Sequence, residues 1–153
     1  MAGEDAGRLE GGRLDEDGLR RLARRLARLL GPGGRVYLVG RLGTGKSVFA
    51  RAVLRELGVR GDIPSPSFVM DAVYRTPLGE THHVDLYRLE GDPRELLSTG
   101  IASVLDSDAT VIVEWADRLP EALLGKGWLV ELAMTDSPGE RMVTVERRAL
   151  AGD

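Results

Sequence analysis

The stretch VYLVGRLGTGKSVFARAV, residues 36–53, decides the fold. An apolar run that predicts a buried strand stops at Gly40, and a glycine-rich loop leads into an amphipathic pattern that predicts a helix from about Lys46 to Leu57. Residues 40–47 match G-x-x-x-x-G-K-[ST], the pattern of a phosphate-binding loop. The glycines let backbone N–H groups converge on a polyphosphate, and the helix start adds partial positive charge. We therefore predict an α/β protein that binds a nucleoside triphosphate.

Side chains that would serve such a ligand stand in and beyond this loop. Lys46 would reach the β- and γ-phosphates, and the Ser47 hydroxyl would ligate Mg²⁺, a hard cation that prefers oxygen. A phosphate-binding loop also needs a carboxylate at the end of a neighbouring strand to hold or orient the magnesium. Glu114 closes the apolar strand VIVE, and Asp85 stands at the end of HHVD. Both are candidates, and the sequence leaves open whether they could exchange roles.

The remaining elements complete the fold prediction. An amphipathic helix begins at Asp15 and ends before the turn GPGG. Strand patterns cover residues 68–75, 81–89 and 109–115, and a mixed helix-and-turn pattern covers residues 92–105. Residues 127–135 and 141–148 predict a final antiparallel hairpin. This order predicts a three-layer α/β fold of the P-loop NTPase type, with a mostly parallel sheet flanked by antiparallel strands. We predict a disordered leader over residues 1–14, a single P-loop ATPase domain over 15–148 and a tail over 149–153.

Composition narrows the function classes. The 153 residues carry a formal net charge of −3 and contain no cysteine, which excludes disulfides, thiolate nucleophiles and cysteine-ligated metals. We expect a cytoplasmic protein, since the acidic, glycine-rich N-terminus differs from a secretory signal and no run reaches the roughly 20 apolar residues of a membrane span. The arginines of the first helix predict a solvated outer face, with RNA or membrane contact as the alternative.

Three further features allow two interpretations each. The segment Ser65–Phe68 could be a switch that senses the γ-phosphate or a proline-fixed turn. His82 and His83 could suggest a metal site, but adjacent strand residues point to opposite faces, which disfavours shared ligation. Trp115 could belong to the core or could flank a nucleotide base.

Four motifs together resemble one family. GRLGTGKS, SPSF, HHVDLYRL and VEW, in this order and spacing, resemble TsaE (formerly YjeE), the bacterial ATPase of tRNA threonylcarbamoyladenosine formation, from about residue 15 to residue 147. The resemblance implies binding of ATP and Mg²⁺, with catalytic roles for Lys46, Asp85 and Glu114, and with Ser47 and Glu114 serving the metal. The nucleotide contacts that the motif and the resemblance imply are Gly40, Arg41, Leu42, Gly43, Thr44, Gly45, Lys46, Ser47, Val48, Trp115 and Gly139.

The resemblance also implies partners. TsaE proteins hydrolyse ATP weakly alone and act with TsaD and TsaB, which transfer a threonylcarbamoyl group to the adenosine beside the anticodon, so tRNA would be met through the complex. The chain departs from the family pattern at four positions. Arg41 replaces an aspartate, Ser47 and Ser67 replace threonines, and His82 is added before the family histidine, His83. Serine keeps the hydroxyl for the metal, whereas Arg41 would change any partner contact made by the acidic residue.

Three rival functions remain at this stage. A P-loop small-molecule kinase would need an arginine-bearing lid, but residues 116–127 contain one arginine and one lysine. A GTP switch commonly uses an N-K-x-D segment and a glutamine, and this chain contains neither Asn nor Gln. A structural partner without nucleotide would leave the set of Lys46, Ser47 and Glu114 unexplained.

Overall fold

One eight-stranded sheet organises the chain. The computed structural model describes residues 4–5, 8–66, 70–89 and 93–148. The strands are β1 Glu4–Asp5, β2 Arg8–Leu14, β3 Arg35–Gly40, β4 Asp71–Thr76, β5 Gly79–Asp85, β6 Thr110–Glu114, β7 Gly127–Met134 and β8 Arg141–Arg148. The helices are α1 Glu16–Leu29, α2 Lys46–Glu56, α3 Pro93–Thr99 and α4 Ile101–Leu105, with short 3-10 turns at Ala116–Arg118 and Glu121–Leu123.

The strand order is β1-β2-β8-β7-β3-β6-β5-β4. The four central strands β7, β3, β6 and β5 run parallel, and the outer pairs on both sides are antiparallel. This confirms the predicted sheet. Parallel neighbours need long crossover connections, and here helices supply them, so the carboxyl ends of β3, β5 and β6 meet at one edge.

Helices cover both faces of the sheet and produce three layers. On one face α1 and α2 pack against buried strand residues such as Leu38 and Ile112. On the other face Leu96 and Ile101 of α3 and α4 pack against Tyr37 and its neighbours. Continuous apolar strands such as β6 follow from this double coverage. None of the helices within the described ranges combines the length and the apolarity needed to cross a bilayer.

The prediction of a disordered leader is wrong for residues 8–14. They form β2, which pairs antiparallel with β8 through a register shift between Leu9 and Gly12. Leu9 is 1% exposed and belongs to the core. A Cβ at Gly11 would lie 2.1 Å from the Val143 carbonyl oxygen, so this glycine allows close strand approach. The rest of the predicted leader apart from β1, and the predicted tail over 149–153, lie outside the described residues.

Helix α1 follows its predicted amphipathic pattern with one exception. The Asp15 side chain accepts a hydrogen bond from the Gly18 amide and caps the helix start. Leu19, Leu22 and Leu26 form the buried face, but Leu29, at helical spacing from them, is 48% exposed. The helix ends at Leu29, and Leu30, which has an extended backbone, is buried in the core.

Candidate functional site

The glycine loop connects β3 to α2 and requires glycine at specific positions. A Cβ at Gly40 would lie 2.6 Å from the Leu132 carbonyl oxygen and 2.7 Å from Thr44 Oγ1, so only glycine fits. Gly45 caps α2 in the left-handed region, with φ of 108°. The backbone amides that follow thus begin a helix directly at the loop. This is the geometry that binds phosphate in other proteins.

Lys46 is buried at the centre of this loop. Its Nζ donates hydrogen bonds to the carbonyl oxygens of Gly40 (2.5 Å) and Arg41 (2.8 Å), and lies 4.0 Å from the ring centroid of Trp115. Burial lowers the pKa of Lys46, while the carboxylates of Glu114, Asp117 and Asp85 oppose that shift. The two carbonyl acceptors are neutral, so an anion would be a stronger hydrogen-bond partner for this buried cation.

Glu114 connects the loop to the buried interior of the sheet. The Ser47 Oγ donates to Glu114 Oε1 at 2.7 Å, and His83 Nε2 lies 2.6 Å from Glu114 Oε2. Glu114 is 1% exposed, and His83 is fully buried. A carboxylate held between a hydroxyl and an imidazole has a fixed orientation, and its Oε1 edge faces the loop. Sequence reasoning identified Ser47 and Glu114 but did not predict that His83 would hold Glu114.

Asp85 stands directly beside Glu114 on the neighbouring parallel strand. The two residues are register partners, and Asp85 is 3% exposed. Its Oδ1 accepts from the Tyr87 amide at 2.9 Å, and its Oδ2 lies 3.5 Å from Ser65 Oγ. The two candidate carboxylates therefore lie side by side at the carboxyl edge of the sheet.

Aromatic side chains form the wall next to Lys46. Trp115 has a positive φ of 59°, uncommon outside glycine, which turns the chain sharply after β6. Its ring lies 5.2 Å from the Tyr87 ring. The Arg118 guanidinium lies 4.9 Å from the Trp115 ring and donates to the carbonyl oxygens of Tyr87 and Leu89. Trp115 is thus a cleft wall, held by Tyr87 and Arg118.

These residues surround an open cleft of about 510 Å³. The predicted site residues that line it are Leu42, Gly43, Gly45, Lys46, Ser47, Val48, Asp85, Glu114 and Trp115. The predicted residues outside its lining are Gly40, Arg41, Thr44 and Gly139. Thr44 is buried with its hydroxyl bonded to the Arg41 carbonyl, and Gly139 lies exposed in the β7–β8 turn.

Sequence reasoning missed three lining residues, which are Glu16, Tyr87 and Arg141. Tyr87 belongs to the DLYR motif and could have been found there, because it follows a candidate carboxylate by two positions. Glu16 and Arg141 come from opposite ends of the chain, and the sequence has no local signal that joins them to the loop. Of the Ser65–Phe68 segment, Ser65 lines the cleft, while Ser67 and Phe68 lie outside the described residues.

His82, the added histidine, makes contacts separate from those of His83. Its Nδ1 lies 2.8 Å from Asp71 Oδ2 and its Nε2 lies 2.9 Å from Glu80 Oε2. Burial alone would lower the pKa of His82, but the hydrogen bonds and charges of Glu80 and Asp71 outweigh it, and the net pKa is raised. The bond to His82 in turn lowers the pKa of Glu80. His82 therefore braces the β4–β5 hairpin.

The raised pKa of His82 predicts a pH-dependent stability. The folded state keeps the proton at pH values where the unfolded chain has lost it, so the stabilisation is full below the ordinary value of 6.5 and disappears as the pH rises through the raised value. His82→Gln should therefore lower the free energy of unfolding more at about pH 5.5 than at about pH 9. Urea unfolding of both proteins at each pH measures this difference. Equal losses at both values would contradict the assignment.

Comparisons with known proteins point to one family. A family model described as "Threonylcarbamoyl adenosine biosynthesis protein TsaE" matches residues 14–143. A Streptomyces coelicolor protein named "tRNA threonylcarbamoyladenosine biosynthesis protein TsaE" is 42% identical over 108 residues, covering 69% of this chain and 72% of its own length. A Mycobacterium tuberculosis protein of the same name is 36% identical over 130 residues, covering 80% and 77%.

A solved structure shares the fold. The crystal structure of Bacillus subtilis YdiB superposes with a TM-score of 0.73 at 21% sequence identity, covering 94% of this chain and 88% of YdiB. At this identity the likeness concerns the arrangement of strands and helices.

Proposed function

Because the chain belongs to the TsaE family, we propose that it is a magnesium-dependent ATPase that supports threonylcarbamoyl transfer to tRNA. The observation that carries this proposal is that three side chains, Lys46, Ser47 and Glu114, lie together at the glycine loop. Lys46 and Ser47 begin α2 after β3, and Glu114 ends β6, with Ser47 Oγ and Glu114 Oε1 2.7 Å apart. Triphosphate chemistry needs a cation, a hydroxyl and a carboxylate in this relation.

The loop would bind the polyphosphate through its amides and Lys46. The Lys46 ammonium now donates to two loop carbonyls, and phosphate oxygens would offer stronger, charged acceptors. Ser47 and Glu114 would hold Mg²⁺, since a hydroxyl and a carboxylate oxygen are ligands that this ion accepts while it keeps several waters. The magnesium ion would neutralise part of the charge of the phosphates.

The carboxylates at the sheet edge divide the remaining tasks. Glu114 already faces Ser47 and His83, so we assign it to the metal. Asp85 lines the same cleft beside it and would orient the attacking water. The Trp115 ring would shield the phosphates from bulk water on the Lys46 side.

The segment after β6 supports hydrolysis over transfer to a small-molecule acceptor. A kinase lid would bring an arginine over the phosphates. Arg118 instead donates to the carbonyl oxygens of Tyr87 and Leu89 and so fastens the strand-end loops together. Water is then the acceptor that the cleft favours.

The proposed setting is the cytoplasm, with TsaD and TsaB as partners and tRNA met through their complex. The names of the similar proteins place those proteins in threonylcarbamoyladenosine biosynthesis. For this chain, we propose that ATP hydrolysis resets the transferring complex between rounds.

A phosphate-release assay tests the proposal. The purified protein with MgATP should hydrolyse slowly, and the rate should change when TsaD and TsaB are added together. The same mixture with Lys46→Ala in place of the wild type corrects for hydrolysis by the partners themselves. The proposal fails if the wild type does not bind MgATP. ATP consumption that depends on a small hydroxyl acceptor would instead identify a kinase.

A further inference from the structure

Arg141 contributes a cation to the cleft that the loop motif does not include. It opens β8, where it pairs with Met134 of β7 and Leu14 of β2, and its side chain lines the cleft. A Cβ placed on Gly45 would lie 3.7 Å from both Nε and Cζ of Arg141. The guanidinium therefore lies beside Gly45, the last glycine of the loop and the residue before α2.

Within the described part of the chain, one nitrogen of this guanidinium lacks a partner. The Nη1 atom of Arg141 is buried without a hydrogen bond. The acidic residues of the adjoining turn do not supply one, because Asp136 and Glu140 both pair with Arg13. A buried donor without an acceptor destabilises a protein, and a buried charge does so more strongly. An anion bound in the cleft would supply the missing acceptor.

The position of Arg141 in the sheet indicates which part of a bound nucleotide would lie next to it. In the strand order β8-β7-β3-β6, Arg141 on β8 and Glu114 on β6 lie on opposite sides of the loop strand β3. Ser47, Glu114 and Asp85 gather on the β6 side, where the metal and the terminal phosphate would lie. A nucleotide whose terminal phosphate lies on the β6 side would extend toward the other side of β3, where Val48 and Arg141 line the cleft.

We propose that Arg141 binds the α-phosphate of the nucleotide, at the end of the cleft away from Glu114. This inference rests on the proposed function, since it requires a nucleotide in the cleft. A guanidinium suits the task because it is always charged and presents several donors in one plane. ATP and ADP share the α-phosphate, so Arg141 binds both equally and contributes little to the chemical step.

Calorimetric titration with MgADP and with a non-hydrolysable MgATP analogue tests this assignment. Arg141→Met keeps most of the side-chain volume without the charge and should weaken both ligands by about 10- to 100-fold. Arg141→Lys keeps the positive charge but lacks the planar guanidinium, so its affinity for both ligands should lie between those of the wild type and Arg141→Met. Arg147→Met, on the same strand with its guanidinium over the Trp128 ring, is the matched control and should bind like the wild type. The turnover number at saturating ATP should change by less than about threefold for Arg141→Met.

Unfolding without ligand separates binding from folding. Because the buried Nη1 is unsatisfied, Arg141→Met should be at least as stable as the wild type. Wild-type affinity in Arg141→Met would overturn the inference. Loss of ATP affinity alone, with a collapse in turnover, would also overturn it, since that pattern places the guanidinium on the γ-phosphate. If Arg141→Met unfolds, Arg141→Lys decides by the same two titrations. If the wild type binds neither ligand, the proposed function itself has failed.

Discussion

Glu114→Gln should still bind MgATP but hydrolyse it at least about 100-fold more slowly, because the charge that serves the metal is lost while the loop is intact. Metal-assisted neutralisation of a transferring phosphoryl group is worth several kcal/mol, and each 1.36 kcal/mol is about tenfold in rate. Glutamine has nearly the shape of glutamate, so the contacts to Ser47 and His83 keep their spacing. We expect ATP affinity to fall by less than about tenfold, since amides and Lys46 provide most of the binding.

Single-turnover hydrolysis and equilibrium titration separate the two effects. Glu146→Gln, an exposed position on β8, removes the same charge far from the loop and should match the wild type in both measurements. A thermal unfolding curve for each variant shows whether the buried carboxylate is also needed for folding. Comparable losses of affinity and of hydrolysis in Glu114→Gln would contradict the role assigned to this residue.

The sequence predicted the loop and both carboxylates for a physical reason. Glycines, an apolar strand and an amphipathic helix are local patterns, so residues 36–57 could be assigned without knowledge of the rest. Asp85 and Glu114 could be placed because the carboxyl ends of parallel strands share one edge of a sheet, and the structure makes them register partners. The loop and the strand ends could therefore be predicted because each is encoded in a short segment of sequence.

Contacts that depend on register could not be predicted in the same way. His83 pairs with Ile112 in the β5–β6 ladder, and its side chain reaches Glu114 because residues 112 and 114 face the same side. A shift of one residue would have turned His83 to the other face, and nothing local to either strand excludes it. Arg141 illustrates the same limit, since its place beside Gly45 requires β8 and β7 to be aligned.

The N-terminal error has a related cause. Residues 8–14 contain two glycines and little apolar pattern, which are features of a disordered leader. Their stabilisation comes from pairing with β8, to which Leu9 adds a single buried side chain. Pairing with a strand more than 120 residues away is invisible to a local pattern, and Gly11, which weakens the local signal, permits the approach to Val143.

Lys46→Ala should weaken MgATP binding by about 100-fold or more, with hydrolysis undetectable at concentrations that saturate the wild type. Charged hydrogen bonds to phosphate contribute about 1.5–3 kcal/mol each, and the ammonium can donate to two phosphates at once. The lowered pKa adds to this expectation. Burial destabilises the charged form of Lys46, and the negative charges of Glu114, Asp117 and Asp85 offset only part of this effect. A bound polyphosphate would therefore add to the stabilisation of the ammonium.

The chain provides its own control, because Lys126 is the only other lysine. Lys126 is exposed before β7 and does not line the cleft, so Lys126→Ala removes the same side chain and should bind MgATP like the wild type. Titration of both variants with MgATP shows whether the loss of affinity depends on the position of the lysine or only on the loss of one positive charge. Lys46→Ala relieves the desolvation of a buried cation but also removes its attraction to Glu114, Asp117 and Asp85, so thermal unfolding of both variants without ligand shows whether the binding loss reflects folding. Equal affinity in the two variants would mean that the ammonium does not meet the phosphates, and the loop would then need another explanation for its buried lysine.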